Sequence, residues 1–299
     1  MFTTRRLLIS LVTFVALCAG FNEQTKAEPI IAINNSNILI RFDSATPGTV
    51  TTQAVTGLMA GDQLFGIDYR PANGLLYGLA FGATGDRLYT INALTGVATF
   101  ASTLSTAVNG VPGMDFNPVV DRLRVVTENE QNLRINVDTG IVNIDNPLNP
   151  GNPGVTGAAY SNNSAGASST TLYVIDASTD MLFIQDPPNA GTLVAVGGLG
   201  VNTGNFIGFD ISGLTGTAYA ALGTNLTTSE FYTINLSTGA ATLVGSIGGP
   251  GDQFFVRGVA ALPGAAAVPE PATLILFTTG LVGIATRIAR RARFREKDK

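Results

Sequence analysis

The stretch GIDYRPANGLLYGLAFGATGDRLYTINALTGVATFAST, residues 66–103, combines short apolar segments with regularly spaced glycines. It divides into four short segments of alternating or β-branched residues, which are typical of β-strands. Turn-forming pairs separate these segments, namely Asn73-Gly74, Thr84-Gly85 and Thr95-Gly96. We therefore predict four short consecutive strands over this stretch.

The same unit recurs along the chain. Further copies begin at Gly113, Gly157 and Gly208, and the four starting glycines are 47, 44 and 51 residues apart. A period of about 40 to 50 residues with four strands in each unit is typical of a β-propeller blade. The repeat therefore accounts for four complete blades.

The two ends of the repeat region make a fifth unit. Residues 257–262 resemble only a first strand, whereas residues 30–55 resemble strands two to four. Joining them would close the ring and remove exposed sheet edges. The third strands align at Leu39, Leu88, Leu133, Leu182 and Phe231. We predict an all-β, five-bladed β-propeller closed by its N- and C-terminal strands, with a β-sandwich or a β-solenoid as the alternatives.

The N-terminus has the order of a secretory signal peptide. Arg5 and Arg6 precede the apolar residues 7–19, and a small-residue site follows at Ala27. The apolar stretch is short for a membrane span. We expect signal peptidase to cleave after Ala27, so that residues 1–27 are removed and the exported domain begins at Glu28.

The C-terminus has the features of a membrane helix with a basic end. Residues 272–286 carry no charge, and an arginine next to them can extend the span by snorkelling. We predict a transmembrane helix over 272–289 and a cytoplasmic tail over 290–299, in accordance with the positive-inside rule. An amphipathic tail helix is the alternative. The membrane-stop basic cluster comprises Arg287, Arg290, Arg291, Arg293 and Arg295.

A short motif precedes this helix. Val268, Pro269, Glu270 and Pro271, followed by the apolar run and the arginines, resemble the PEP-CTERM sorting signal of Gram-negative bacteria. The resemblance implies recognition by an exosortase and processing near the motif, in organisms that make extracellular polysaccharide. Residues 265–271 are then a linker. The precursor would be anchored in the inner membrane, and the mature protein would reach the cell surface or the medium.

The second unit carries a further resemblance. GMDFNPVVDRLRVV, residues 113–126, resembles the signature of a secreted bacterial domain family of unknown function. The similarity extends over most of residues 30–262, within a propeller-like domain that we place at 28–264. The resemblance implies a domain often found with export or sorting signals, and it supplies no catalytic residue.

Composition excludes several kinds of chemistry. The sequence has no histidine, and its one cysteine, Cys18, lies in the predicted signal peptide. A Ser-His-Asp triad, a disulfide framework and a zinc site of Cys and His ligands are therefore excluded from the mature chain. We predict a protein that is not an enzyme and needs no cofactor. Any metal would be a hard ion held by oxygen, such as calcium.

Charge argues against a nucleic-acid partner. Residues 28–286 contain seven arginines against 18 acidic residues, which gives this region a net charge of −11. Nucleic acid is bound through clustered positive charge. Cations, glycans and other proteins remain as partners.

Three aspartates occupy equivalent first-strand positions. These are Asp68, Asp115 and Asp210, and first strands surround the central channel of a propeller. Because the residue recurs in three units, we interpret it as a structural anchor between blades. The alternatives are a calcium site or the acid and base of glycoside cleavage.

Charged residues that break the repeat are concentrated in the second unit. Arg122, Arg124, Glu128 and Arg134 are candidates for holding a sugar acid or an anionic polymer through charge-assisted hydrogen bonds. The loop at residues 145–154 also differs from the other connections. Solvated ion pairs, such as Asp121 with Arg122, are the alternative interpretation.

These observations favour an exported, exosortase-sorted envelope or extracellular-matrix protein with a non-enzymatic binding or structural role. Its expected partners are signal peptidase, exosortase, the membrane before processing and extracellular polysaccharide. A carboxylate-dependent glycan hydrolase or lyase on the same scaffold is the alternative.

Overall fold

The computed structural model describes residues 27–223 and 228–264, which form twenty short strands and one 3-10 turn. The strands are grouped in five four-stranded antiparallel sheets, the blades. Blade 1 contains β20 (Val256–Ala261), β1 (Pro29–Asn34), β2 (Ile38–Asp43) and β3 (Thr46–Ala54). Blade 2 contains β4 (Gln63–Arg70), β5 (Leu75–Phe81), β6 (Arg87–Ile91) and β7 (Ala98–Thr103).

The other three blades follow in chain order. Blade 3 contains β8 (Pro112–Asn117), β9 (Arg122–Thr127), β10 (Asn132–Ile135) and β11 (Val142–Ile144). Blade 4 contains β12 (Val155–Tyr160), β13 (Leu172–Asp176), β14 (Met181–Gln185) and β15 (Leu193–Gly198), with the 3-10 turn Pro188–Ala190 before its last strand. Blade 5 contains β16 (Ile207–Ile211), β17 (Ala218–Leu222), β18 (Glu230–Ile234) and β19 (Ala241–Ser246).

The first strands of the five blades form the inner ring. Each packs against the next, in the cyclic order β20, β4, β8, β12, β16 and back to β20. The ring is closed within blade 1, where the late strand β20 pairs antiparallel with β1 and places Ala260 opposite Ile31. The prediction of a five-bladed propeller closed by its terminal strands is confirmed. The five predicted third-strand positions all lie in third strands.

Five glycines allow the inner strands to approach one another. The first strand of every blade carries one at the equivalent position: Gly66, Gly113, Gly157, Gly208 and Gly258. A Cβ atom on Gly113 would lie 2.7 Å from the backbone carbonyl carbon of Gly157 in the next blade. A Cβ atom on Gly208 would lie 2.8 Å from the backbone nitrogen of Val259. Close packing around the axis therefore favours glycine at this position, most strongly at Gly113 and Gly208, where the close atoms include backbone atoms of the next blade.

The hydrophobic core consists of layers between neighbouring blades. In the layer between blades 1 and 5, Phe42 meets Phe231 edge to face at 5.0 Å, and Phe231 stacks on Tyr219 at 5.3 Å. Comparable layers lie between the other blades. Because each layer joins two blades, the apolar surface of a blade is buried only when the ring is complete.

Several sequence predictions concern residues outside those described. They are the signal peptide up to residue 26, the linker and PEP motif at 265–271, the transmembrane helix at 272–289 and the basic tail at 290–299. Within residues 27–223 and 228–264, no helix has the length and apolar character needed to cross a membrane.

Candidate functional site

A cavity of about 420 Å³ lies between blades 3 and 4, and we call it the arginine pocket. Blade 3 contributes three arginines to it, because Arg124 on β9 is the register partner of Arg134 on β10 and Arg122 begins β9. Blade 4 contributes the end of β12 and the turn before β15. The lining residues are Asn117, Val120, Arg122, Arg124, Arg134, Tyr160, Pro187, Pro188 and Asn189.

Asp145 fixes two of the three guanidinium groups. Its Oδ2 accepts hydrogen bonds from Arg124 Nη1 at 2.6 Å and Arg134 Nε at 2.7 Å, and its Oδ1 accepts one from Arg134 Nη2 at 2.8 Å. Burial acts to raise the pKa of Asp145, but the hydrogen bonds from Arg134 and Arg124 hold that pKa below its ordinary value. The same pairing raises the pKa of Arg134. The carboxylate is therefore ionised and orients both arginines.

Arg124 is held on every side. Its Nη1 also donates to Asn132 Oδ1 and its Nη2 to Asn189 Oδ1, both at 2.7 Å. Its side chain is only 2% exposed. Arg124 is thus a buried support that links blade 3 to the turn of blade 4.

Among residues 27–223 and 228–264, no acceptor pairs with the remaining donors of Arg122 and Arg134. Arg122 donates only through Nη1, to the backbone oxygen of Asp121 at 2.7 Å, and Arg134 uses Nε and Nη2 for Asp145. The side chain of Arg134 is 33% exposed. Asp145 forms ion pairs with two of the three guanidinium groups, and Arg122 interacts with Asp138 only through its charge. The described lining of the pocket contains three arginines and no acidic residue, in a protein whose body is acidic.

Two sequence expectations about this region need correction. Glu128 does not line the pocket; it follows the far end of β9, where its carboxylate accepts hydrogen bonds from the Val111 N–H at 3.3 Å and from Asn205 Nδ2 at 2.8 Å. The carboxylate of Asp121 does not pair with Arg122. Asp121 sits in the turn before β9 and forms a bidentate pair with Arg70 of blade 2, at 2.8 and 2.6 Å.

The residues of blade 4 that complete the pocket were not identified from sequence. Tyr160, Pro187, Pro188 and Asn189 carry no motif of their own. Only the packing of blade 4 against blade 3 brings them to the arginines. The sequence signal was limited to the unusual loop that begins at Asp145.

A second cluster of chemical groups lies at the propeller axis. Asp68 on β4, Asp115 on β8 and Asp210 on β16 each place a carboxylate oxygen within 4.8 Å of the other two, and we call them the axial aspartates. They are 1%, 0% and 1% exposed. At this degree of burial, the three carboxylates are enclosed by the inner strands and have almost no contact with solvent.

Each axial aspartate accepts a hydrogen bond from a backbone N–H of the next blade. Asp68 Oδ2 accepts from the Phe116 N–H at 2.8 Å, Asp115 Oδ2 from the Tyr160 N–H at 3.1 Å, and Asp210 Oδ2 from the Ala261 N–H at 2.6 Å. This is the geometry of an anchor between blades. Blades 1 and 4 carry Ala260 and Ala159 at the equivalent positions.

The electrostatics of this cluster is dominated by burial. Burial, and then the neighbouring carboxylates, raise the pKa of Asp68 and of Asp115 well above the ordinary value. Burial raises the pKa of Asp210 to about 7. Asp68 Oδ1 and Asp115 Oδ1 are buried without a hydrogen-bond partner. Carboxylates arranged in this way can share protons or hold a hard cation.

Comparison with known families identifies the body of the chain. Residues 38–260 match the family described as a domain of unknown function, DUF4394. The chain belongs to this family. In this DUF4394 protein, residues 267–291 also match the PEP-CTERM protein-sorting motif, which indicates an exported protein that is recognised and processed by an exosortase. The match includes Val268, Pro269, Glu270 and Pro271, and among the predicted basic cluster Arg287, Arg290 and Arg291.

Three solved structures are similar to the DUF4394 chain at low identity. A chain of a nidogen/laminin complex is 14% identical with a TM-score of 0.48, and the match covers 80% of this chain and 99% of that one. A protein of unknown function from Bacteroides thetaiotaomicron VPI-5482 is 16% identical with a TM-score of 0.48, covering 80% and 63%. The Dos1 propeller is 14% identical with a TM-score of 0.39, covering 69% and 53%. No curated protein sequence matches the DUF4394 chain significantly.

Proposed function

We propose that this exported protein is a non-enzymatic envelope or extracellular-matrix component that binds acidic extracellular polysaccharide in the arginine pocket. The sorting motif supports the location, because it directs the chain to an exosortase. The pocket supports the ligand class. The single observation that carries the proposal is the set of guanidinium donors on Arg122 and Arg134 that no described residue accepts, in a cavity of about 420 Å³.

The size and lining of the pocket suit a sugar acid. Ligand cavities are commonly about 300 to 1,000 Å³. A carboxylate bound to arginine forms charge-assisted hydrogen bonds, which are stronger than those between neutral groups. Asn117, Asn189 and Tyr160 offer further polar contacts to sugar hydroxyls, and Pro187 and Pro188 offer an apolar surface to a ring face.

The support of the pocket favours binding. Asp145 already holds Arg134 through two hydrogen bonds, so this side chain loses little conformational freedom when a ligand arrives. Ordering of flexible side chains opposes association, and a pre-ordered site avoids part of that cost. The pocket is therefore prepared for an anionic group before the ligand binds.

The test uses the full-length chain, purified in mild detergent because of its apolar C-terminal run. The protein is mixed with polygalacturonate or with neutral dextran, and size-exclusion chromatography follows both protein elution and polymer length. We expect co-elution with intact polygalacturonate and separate elution from dextran. Shortened polymer would support the hydrolase or lyase alternative, and separate elution from both polymers would contradict the proposed binding role.

Matched variants locate the binding. Arg122→Gln and Arg134→Gln each remove one positive charge from the pocket, and we expect affinity for the acidic polymer to fall by at least about tenfold. Arg41→Gln makes the same change in charge on blade 1, outside the pocket, and should leave the affinity unchanged. Equal effects of all three substitutions would indicate non-specific electrostatic attraction instead of a site.

A further inference from the structure

The axial aspartates lack a compensating charge. The ion pairs of the described residues join Arg70, Arg87, Arg124 and Arg134 to other carboxylates, and none of them involves Asp68, Asp115 or Asp210. Burying an ionised carboxylate without a partner is costly. Three of them at one point on the axis therefore require protons or a bound cation.

Two buried oxygen atoms are available for a cation. Asp68 and Asp115 each use Oδ2 for the hydrogen bond to the next blade. Among the described residues, no group outside the cluster pairs with their buried Oδ1 atoms, and the Asp115 side chain lies within hydrogen-bonding range of Asp68 and Asp210. Asp210 uses both oxygens for backbone N–H groups, those of Ile211 and Ala261 at 2.6 Å, and a carboxylate oxygen retains a second lone pair. The backbone hydrogen bonds hold all three carboxylates in place around one point.

We propose that Asp68, Asp115 and Asp210 bind one calcium ion at the propeller axis. Calcium is held by oxygen ligands at about 2.3 to 2.6 Å, so two of its ligands are at most about 5.2 Å apart. The axial aspartates satisfy this limit, because one oxygen from each lies within 4.8 Å of the others. The ion would join blades 2, 3 and 5, which are the blades that supply the ligands.

Burial of the cluster favours calcium over magnesium. Magnesium gives up its water molecules reluctantly and usually keeps several of them in a protein site. The axial aspartates are at most 1% exposed, which leaves the site closed to bulk water. A carboxylate oxygen that accepts one backbone N–H retains a second lone pair, so each aspartate can offer one or both oxygens to the ion, which matches the more flexible coordination of calcium.

The experiment measures metal content after refolding, because a buried site exchanges its ion when the fold opens. The full-length chain is unfolded in denaturant with EDTA, refolded with calcium and dialysed, and its calcium is measured by atomic emission. We expect one calcium per chain for the wild type and almost none for Asp115→Asn. Asp252→Asn, an exposed change of the same kind, should retain one calcium.

The asparagine variant preserves the fold by design, since its amide oxygen can still accept the Tyr160 N–H. Asp68→Asn makes the same test independently at Phe116. Folded wild type that takes up much less than one calcium per chain would overturn the proposal and assign the cluster to shared protons. Because the wild-type stoichiometry alone decides this outcome, it does not depend on the variants folding or on the ligand of the arginine pocket.

Discussion

Asp68 of blade 2 accepts a hydrogen bond from the backbone N–H of Phe116 in blade 3, at 2.8 Å, and the acceptor and donor are both buried. The side chain of Asp68 thus closes the gap between two sheets that share no strand pairing. Asp115 and Asp210 repeat the bond to Tyr160 and Ala261. A single residue position in the repeat therefore ties blades together and also gathers acidic groups at the axis.

We predict that two substitutions of Asp68 can separate the contribution of the Phe116 hydrogen bond to stability from the contribution of the Asp68 charge. Asp68→Asn keeps an acceptor, whereas Asp68→Ala leaves the Phe116 N–H buried and unpaired, which costs about 1–3 kcal/mol. Asp68→Ala should be the less stable variant by that amount in urea unfolding with EDTA present. Equal stability of the two variants would show that the hydrogen bond adds nothing.

The glycine of the inner strands gives a second prediction. Gly113→Ala places a Cβ atom 2.7 Å from the Gly157 carbonyl carbon and 2.8 Å from the Ala158 nitrogen, and these are backbone atoms that cannot rotate away. Overpacking of this kind costs about 1–3 kcal/mol. We expect a fall in the free energy of unfolding of that size, measured by urea denaturation.

Gly198→Ala is the matched control for this prediction. Gly198 ends β15, is exposed, and has no atom within 4 Å of the position of an added Cβ. The substitution should leave the free energy of unfolding almost unchanged. If Gly113→Ala were equally harmless, the close approach of blades 3 and 4 would not be the reason for a glycine at this position.

The propeller could be predicted from sequence because its units are local. Four of the five blades are formed by consecutive strands, so a repeat beginning at Gly66, Gly113, Gly157 or Gly208 records the architecture directly. Turns add to the signal. Asn92 begins the turn of blade 2 that ends in Thr95-Gly96, and its side chain accepts the backbone N–H groups of Leu94 and Thr95.

The arginine pocket could be predicted only in part. Arg122, Arg124 and Arg134 were identifiable because they depart from the repeat within one unit, and two adjacent strands bring them together. Asn189 and Tyr160 belong to another blade, and their contribution depends on packing between blades. Glu128 was grouped with the arginines because it is close to them in sequence. The spacing of charges along the chain does not show that Glu128 lies at the other end of β9, away from the pocket.

The contacts of Arg257 could not be predicted either, because they also depend on the packing between blades. Its guanidinium carbon lies 4.3 Å from the ring centroid of Phe65 and 5.1 Å from that of Phe206, so the side chain sits between residues of blades 2 and 5. In sequence it is only the residue before a first-strand glycine. Contacts that join three blades leave no short-range pattern.

The raised pKa of Asp210 predicts a dependence of stability on pH when calcium is removed. Between the ordinary value of 3.8 and about 7, the unfolded chain releases the Asp210 proton while the folded chain retains it. The folded state then binds more protons, so its stability falls as the pH rises, by at most about 1.4 kcal/mol per pH unit for one group.

Asp210→Asn removes this titration and should flatten the profile. The charge of Asp210 also helps to raise the pKa of Asp68. Removing that charge reduces the contribution of Asp68 to the pH dependence, so this second effect flattens the profile as well. Urea unfolding of both proteins in EDTA from pH 4 to pH 7 measures the difference. A wild-type advantage that grew with pH would contradict the assignment of a raised pKa.

The final prediction concerns Glu28, the residue that we expect to become the mature N-terminus. It is 3% exposed, and its carboxylate accepts hydrogen bonds from Ser212 Oγ at 2.5 Å, Thr215 Oγ1 at 2.8 Å and Tyr219 Oη at 2.7 Å. These donors belong to blade 5, whereas Glu28 leads into β1 of blade 1, so the contacts reinforce the closure of the ring.

Glu28→Ala removes an acceptor shared by three hydroxyls and should lower the free energy of unfolding by about 1–3 kcal/mol in urea. Ser36→Ala, at an exposed turn after β1, is the control and should change it little. If Glu28→Ala were as stable as that control, the carboxylate would not contribute to the junction of blades 1 and 5.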